Sequence, residues 1–154
     1  VAARISGSDY SVAWVGDARA YLWGDGLQRL SHDHSRVQEL VDAGLITEQE
    51  ARSHPHRSVI TRVLGGPDGT AAAPDQVTGS LRPGESILLC SDGLTSEVDD
   101  HDIAGVLSRE LADGKFPQAA GQRAVDRLVA MALDHGGNDN VTVVLIGLPS
   151  GAAA

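Results

Sequence analysis

The chain has 154 residues, a formal net charge of −9 and an isoelectric point near 4.9. This length suits one domain with a buried core, and an aromatic content of 3% leaves the packing to aliphatic side chains. The acidic balance argues against a nucleic-acid partner, because such proteins cluster Lys and Arg against phosphates. No apolar run approaches the roughly 18 residues of a membrane span. The single cysteine, Cys90, cannot form a disulfide within the chain, which favours a reducing compartment.

Short apolar stretches separated by turn residues predict two consecutive β-hairpins at the start of the chain. The first pair flanks the turn composition SGSD, and the second flanks the sequence GDG, whose glycines permit a tight turn. Consecutive hairpins are typical of an antiparallel sheet. The four predicted strands are residues 1–5, 11–15, 18–23 and 27–30.

The apolar pattern then changes to the helical period. Ser35 and Thr47 each begin a capping-box pattern, so two short helices are predicted, the second of which ends before Pro55. Residues 59–64 are apolar enough to predict a strand. Together, residues 32–66 are predicted to form a small helical flap inserted between strands.

The second half of the chain combines apolar strands with amphipathic helices. Four apolar residues follow Ser86 without alternation, which predicts a strand buried on both faces, and the run at 141–148 has the same character. Asp99 is a good N-cap for one helix, and Pro117 suits the first turn of another, which a Gly-Gly pair stops. A further strand is predicted at residues 75–81.

Two aspartates stand at the ends of the buried strands. Asp92 directly follows the run that begins after Ser86, and such a carboxylate must be hydrogen-bonded, paired with a cation or bound to a metal. Asp139 precedes the strand at 141–148. If the two strands are antiparallel neighbours, the two carboxylates converge. Asp17, at the bend between the opening hairpins, is a third candidate.

Converging carboxylates without Cys or several His favour a hard cation such as Mg²⁺ or Mn²⁺ over zinc. The plainer alternative is that each Asp caps a turn or pairs with an arginine such as Arg19. The six histidines lie in predicted loops or near helix ends, where exposed histidines are ordinary, and we assign none of them a catalytic role. The residues alone therefore predict an acidic α+β domain and leave the metal site as one of two interpretations.

Several motifs occur in an order that is more specific than any one of them. They are VGDARAYL at 15–22, DHS at 33–35, the flap at 37–66, CSDGL at 90–94 and GNDNVT at 137–142. In this order, between residues 12 and 146, the sequence resembles the metal-dependent protein serine/threonine phosphatases of the PPM, or type 2C, family. The flap sequence resembles the bacterial branch in particular.

The resemblance implies an α+β fold, a four-layer α-β-β-α sandwich of two antiparallel sheets flanked by helices. Residues 1–148 would form a partial domain of this kind that carries the flap, and residues 149–154 a disordered tail. Complete members carry an upstream segment with the motif DGxGGH, which supplies strands and the aspartate that bridges two metals. No such segment precedes Val1 in this sequence. We therefore expect the C-terminal two-thirds of a phosphatase domain, nearly inactive alone.

The resemblance also implies the ligands of a centre with two Mn²⁺ or Mg²⁺ ions. Asp92 and Asp139 match the family's metal-binding aspartates, and Asp17 matches an aspartate that helps to hold a third, weaker metal. Asn140 would orient the ligands, and Ser58 falls near a flap serine that approaches the third metal. No side chain of this chain would be the nucleophile, because in this family a metal-bound water attacks phosphorus.

The implied function is hydrolysis of phosphoserine and phosphothreonine in proteins modified by Ser/Thr kinases. The resemblance implies a monomeric, cytoplasmic catalytic domain and leaves open a membrane anchor outside this chain. A non-catalytic regulatory or binding module on the same fold is the alternative interpretation. A third possibility, the branch that acts on anti-sigma antagonists in development or stress responses, is disfavoured by the flap.

Overall fold

Two antiparallel sheets form the frame of the structure, and three helices lie against one of them. The computed structural model describes residues 1–65, 73–111 and 116–148. The strands of these ranges are β1 (Ala2–Ser6), β2 (Asp9–Trp14), β3 (Arg19–Trp23), β4 (Leu27–Arg29), β5 (Asp75–Ser80), β6 (Ser86–Cys90) and β7 (Val143–Gly147). The helices are α1 (Arg36–Asp42), α2 (Glu48–Ser53), α3 (Asp92–Thr95), α4 (Asp100–Glu110) and α5 (Gln118–Asp134).

The two opening hairpins form as predicted. β1 pairs with β2 and β3 pairs with β4, each antiparallel. β5 pairs with the other side of β2, which gives a three-stranded sheet in the order β1-β2-β5. The second sheet has the order β4-β3-β6-β7, and β6 is antiparallel to both of its neighbours. β6 and β7 are therefore the antiparallel neighbours that convergence of Asp92 and Asp139 requires.

A first core lies between the facing sides of the two sheets. It contains the fully buried Val12 of β2, Ala20 of β3 and Ile87 of β6, together with the buried aromatic residues Tyr10 and Trp14. Burial alternates along β2, because successive side chains of a strand point to opposite faces. One face of the three-stranded sheet thus packs onto the four-stranded sheet.

A second core lies between the four-stranded sheet and helices α3, α4 and α5. Leu88 of β6 packs there with Ile103, Leu107 and Leu128, all fully buried. Because Ile87 lies in the first core and Leu88 in the second, the prediction that β6 is buried on both faces is confirmed. Two face-to-face antiparallel sheets with packed helices confirm the predicted α+β fold, and within the described residues α3, α4 and α5 supply one of its two helical layers.

The flap helices begin where the capping residues predict, but the strand after them is not formed. The Ser35 side chain accepts a backbone N–H at 3.3 Å at the start of α1, and Thr47 and Glu50 form a complete capping box at the start of α2. The predicted strand at residues 59–64 is wrong, because Ile60 makes only an isolated bridge to Ser35. All six residues are exposed, so their apolar character does not mark a buried strand.

β7 is a second departure from the sequence analysis. It is an edge strand of its sheet within the described ranges, and Val144 is 45% exposed. The prediction that this strand is buried on both faces is therefore wrong. A continuous apolar run does not distinguish a central strand from an edge strand, because that difference depends on which strands pair beside it.

Two predicted segments lie wholly or partly outside the residues that the structure describes. Residue 66, the last of the predicted flap, and the predicted tail at 149–154 lie outside them. Among the helices that the structure does describe, none combines the length and the apolar character needed to cross a membrane.

Candidate metal centre

Asp17 and Asp92 extend from the same end of one antiparallel strand pair. The last paired residues of β3 and β6 at this end are Arg19 and Cys90. Asp17 lies two residues before Arg19, and Asp92 lies two residues after Cys90, so the register places the two aspartates opposite each other. β6 leads directly into α3, a short helix that begins at Asp92 and that the apolar pattern did not predict. Strand pairing therefore brings two of the three predicted aspartates together.

Both aspartates line a cavity of about 560 Å³ between the sheet edge, the flap and the start of α4. The lining is mixed: it includes carboxylates such as Asp99 and two arginines of the flap, Arg52 and Arg57. Ligand pockets in proteins typically span roughly 300–1,000 Å³. This cavity therefore has the size of a ligand-binding pocket.

Asp17 is electrostatically unfavourable in its ionised form. Burial raises the pKa of the Asp17 carboxyl above its ordinary value, and the negative charge of Asp92 raises it further. A carboxyl whose pKa is raised in the folded state destabilises the fold when ionised at neutral pH, and this cost disappears as the pH falls through the raised pKa. A divalent cation between the two carboxylates would remove the repulsion.

We expect Asp17→Asn to stabilise the metal-free protein. Removing the charge should relieve about 1 kcal/mol of repulsion and desolvation after allowance for solvent screening, which raises Tm by roughly 2–4 °C. The measurement is thermal unfolding of the full-length protein in a chelator at neutral pH and near pH 4. The difference from wild type should shrink at the lower pH, because the raised pKa lets a larger fraction of Asp17 be protonated there. Asp25→Asn, at an exposed turn, is the control, and a lower Tm for Asp17→Asn would contradict the prediction.

Asp139 lies on the loop that leads into β7, and hydrogen bonds join this loop to the segment that carries Asp92. Ser91 Oγ donates to the carbonyl oxygen of Asn140 at 3.0 Å and accepts from the N–H of Thr142 at 3.0 Å. The backbone N–H of Asn140 donates to Asp139 Oδ1 at 2.7 Å. Asn140 thus contacts the carboxylate through its backbone. Asp139 and Asn140 are both exposed, and neither lines the cavity.

Arg19, the arginine that the plainer interpretation offered to the aspartates, is engaged elsewhere. It donates to Asp33 through Nε at 3.0 Å and through Nη2 at 2.7 Å, and its Nη1 lies 3.7 Å from Asp100. Burial opposes the charge, but the hydrogen bond to Asp33 keeps the pKa of Arg19 above its ordinary value. Within the described residues, none of the three predicted aspartates takes part in an ion pair of 4.0 Å or less.

Two other sequence expectations concern the residues around this edge. His34 is only 5% exposed, so the expectation that the histidines are exposed is wrong for this one. Its Nδ1 accepts the N–H of Gly16 at 3.2 Å, and its Nε2 lies 3.1 Å from Asp75 Oδ2. The motif DHS is polar throughout, so its sequence does not indicate that the histidine is buried.

Ser58 is exposed on the flap and is not among the residues that line the cavity.

The cavity also contains residues that the sequence analysis did not assign to the site. The acidic start of α4 follows the SDG motif closely, and that proximity could have indicated Asp99 and Asp100. The flap arginines Arg52 and Arg57 carried no comparable signal, because they lie near the end of a short polar helix whose position depends on the folded flap.

The donor chemistry at this edge fits a hard divalent cation. Asp17, Asp92 and Asp139 offer carboxylate oxygens, which Mn²⁺ and Mg²⁺ prefer. However, no group of three His, Cys, Asp or Glu side chains within the described ranges is placed to hold a metal ion by itself. The residues present therefore fit a metal centre in ligand type but supply only part of a ligand set.

Comparison with known proteins identifies relatives along most of the chain. No family model matches the sequence. The serine/threonine protein phosphatase PstP of Mycobacterium tuberculosis (strain ATCC 25618 / H37Rv) is 40% identical over 141 residues, which are 91% of this chain and 25% of that protein. The serine/threonine phosphatase stp of Listeria monocytogenes (serovar 1/2a, strain ATCC BAA-679 / EGD-e) is 34% identical over 147 residues, 95% of this chain and 54% of that protein. The chain thus spans only about a quarter to a half of the length of these relatives.

Solved structures agree with the sequence relatives. The crystal structure of M. tuberculosis PstP/Ppp has a TM-score of 0.81 at 39% identity and covers 96% of this chain and 58% of its own. The catalytic domain of PstP in complex with two manganese ions has a TM-score of 0.76 at 35% identity and covers 93% of this chain and 55% of its own. Fold and sequence together define a class, the protein serine/threonine phosphatases. Over nearly its whole length the chain is similar to bacterial members of the PPM family of that class, and it spans 58% of the solved M. tuberculosis chain.

Proposed function

We propose that the full-length protein carrying this chain is a phosphatase that hydrolyses phosphoserine and phosphothreonine in other proteins with Mn²⁺ or Mg²⁺. The observation that carries the proposal is the pairing of Asp17 with Asp92. Two carboxylates without ion-pair partners among the described residues face one cavity at a sheet edge, and the repulsion between them favours a bound cation. The names of the relatives support the same reaction.

The three aspartates have distinct roles in this proposal. Asp92 and Asp139 hold two ions, Asp17 helps to hold a third, and Asn140 orients Asp139 through the hydrogen bond from its N–H. When bound, such ions activate water and neutralise the negative charge of the phosphate. The chain's own residues hold the carboxylates in place, and Arg52 and Arg57 provide hydrogen-bond donors in the cavity that suit phosphate oxygens or acidic substrate residues.

The substrates in this proposal are phosphorylated proteins, produced by Ser/Thr kinases. We propose further that the catalytic domain is monomeric and acts in the cytoplasm, in keeping with its acidic surface and its single buried cysteine. Burial raises the pKa of the Cys90 thiol to about 12, so Cys90 is not a candidate nucleophile at neutral pH.

The described residues alone do not assemble three metal ligands, and we therefore propose that this chain by itself is nearly inactive. The same observation is the one that favours the second candidate function, a non-catalytic binding module. The two candidates differ in what the full-length protein does, because only a phosphatase depends on added metal for phosphate release.

The experiment is phosphate release from phosphoserine and phosphothreonine peptides by the full-length protein and by the 154-residue chain. We expect the full-length protein to lose activity in a chelator and to recover it with Mn²⁺. The chain alone should be at least about 100-fold slower, because an incomplete ligand set binds metal weakly. Equal activity of the two would contradict the incomplete site. A full-length protein that is inactive with both Mn²⁺ and Mg²⁺ would favour the binding module.

A further inference from the structure

We propose that His34 is a positioning residue that holds the metal ligand Asp17 in place through the backbone of Gly16. This inference rests on the proposed function, in which Asp17 binds a metal ion. It assigns a specific task to a buried histidine on the segment that leads into the flap.

His34 forms two hydrogen bonds with the backbone of Gly16. Its ring nitrogen Nδ1 accepts the N–H of Gly16 at 3.2 Å, and its own backbone N–H donates to the carbonyl oxygen of Gly16 at 2.9 Å. Gly16 has a φ of 96°, a conformation that residues with side chains rarely adopt. The turn immediately before Asp17 is therefore held in an unusual shape by hydrogen bonds to a single residue.

The imidazole of His34 is fixed in both orientation and tautomer. Because the N–H of Gly16 can only donate, Nδ1 must be the unprotonated nitrogen, and Nε2 carries the proton that faces Asp75 Oδ2 at 3.1 Å. Asp75 is held in turn by Arg62, which donates to its Oδ1 at 2.9 Å. On another side the ring of Trp14 lies stacked, with centroids 6.5 Å apart and planes 25° apart. A buried ring with these contacts has little freedom to release Gly16.

The adjacent residue, Asp33, holds the other side of Asp17. It forms the bidentate ion pair with Arg19, two residues after Asp17, while His34 holds Gly16, one residue before it. Two consecutive residues of the DHS motif thus contact both sides of the proposed ligand: His34 bonds the backbone of Gly16, and Asp33 bonds the side chain of Arg19.

Asp17 needs such support because it faces a like charge. Asp92 lies opposite Asp17 at the end of the β3–β6 pair, so repulsion between the two negative charges would move a freely mobile turn until the carboxylates separate. The hydrogen bonds from His34 oppose that movement before any cation binds. Preorganised ligands bind metal more tightly, and loss of a group that orients a ligand typically weakens metal binding by about 10- to 100-fold.

Three substitutions of His34 separate this role from simple packing. In His34→Asn the side-chain oxygen takes the place of Nδ1, which keeps an acceptor for Gly16 and loses the bond to Asp75. His34→Gln reaches toward Asp75 and loses the acceptor for Gly16. His34→Leu fills space and makes neither hydrogen bond. His32→Gln is the matched control, because His32 is exposed and pairs with Asp42 at 2.8 Å.

The measurement is Mn²⁺ binding to the metal-free, full-length protein by titration calorimetry, with Tm recorded for each variant. We expect His34→Gln and His34→Leu to weaken the Asp17-dependent Mn²⁺ site by about 10- to 100-fold, and His34→Asn and His32→Gln to stay within about threefold of wild type. If His34→Leu does not fold, the comparison of Asn with Gln carries the test. Equal Mn²⁺ affinities for the Asn and Gln variants would overturn the positioning role, whatever their Tm values.

Asp17→Asn separates a failure of this inference from a failure of the proposed function. If Asp17→Asn leaves every Mn²⁺ site unchanged, Asp17 is not a ligand, and the proposed assignment falls together with the role of His34. If Asp17→Asn weakens a site and His34→Gln does not, only the role of His34 is overturned. Weakening of the same site by both variants supports the inference.

Discussion

Asp92→Asn should reduce Mn²⁺-dependent phosphate release by the full-length protein by at least about 100-fold. Loss of a group that merely orients a ligand already costs roughly 10- to 100-fold in metal affinity, so loss of a ligand should cost at least as much. The substitution keeps the size and hydrogen-bonding shape of the side chain. It removes the negative charge of the Asp92 carboxylate, which lines the cavity at the end of β6, opposite Asp17.

Asp99→Asn is the matched control for this experiment. Asp99 lines the same cavity and loses the same charge, but its carboxylate serves as the N-cap of α4, where it accepts the N–H of Asp102 at 2.8 Å. Asn is an equally good N-cap, so the helix should be preserved. We expect this variant to keep phosphate release within about threefold of wild type, since it changes only the overall electrostatic field of the cavity. Activity of Asp92→Asn at the level of Asp99→Asn would remove Asp92 from the site.

Local signals in the sequence predicted the elements well, because each depends on residues close together in the chain. The caps at Ser35, Thr47 and Asp99 each satisfy a backbone N–H three residues ahead. The unalternating run after Ser86 forms the strand that both cores bury. The glycine turn between β3 and β4 also lies where the composition predicts it.

The position of one element beside another was less predictable. The encounter of Asp17 with Asp92 depends on β3 pairing with β6, a choice of partner that no residue near either strand encodes by itself. The exposure of Val144 depends in the same way on β7 lying at an edge. The burial of His34 depends on two partners, Gly16 and a carboxylate of β5, that are far away in the chain. In contrast, the sequence analysis stated one pairing as a condition: the carboxylates next to β6 and β7 converge if these two strands are antiparallel neighbours. The structure meets this condition.

Gly93→Ala should destabilise the full-length protein by about 3 kcal/mol and lower its Tm by roughly 6–12 °C. A Cβ at Gly93 would overlap the carbonyl oxygen of Asn140 and lie 2.9 Å from its carbonyl carbon. Both obstacles are backbone atoms, which cannot rotate away as a side chain can. The only relief is to move the loop that carries Asp139 away from the start of α3, against the hydrogen bonds that Ser91 makes to that loop.

Gly105→Ala distinguishes this clash from an ordinary glycine effect. Gly105 lies within α4, and a Cβ there meets no atom within 4 Å, so alanine should stabilise the helix by about 0.5–1 kcal/mol. Chemical unfolding measures both variants, and Mn²⁺ titration should show weaker binding for Gly93→Ala alone, because the same displacement separates Asp139 from Asp92. If Gly93→Ala were as stable as wild type, the loop could yield without cost, and its backbone would not be what holds the two aspartates near each other.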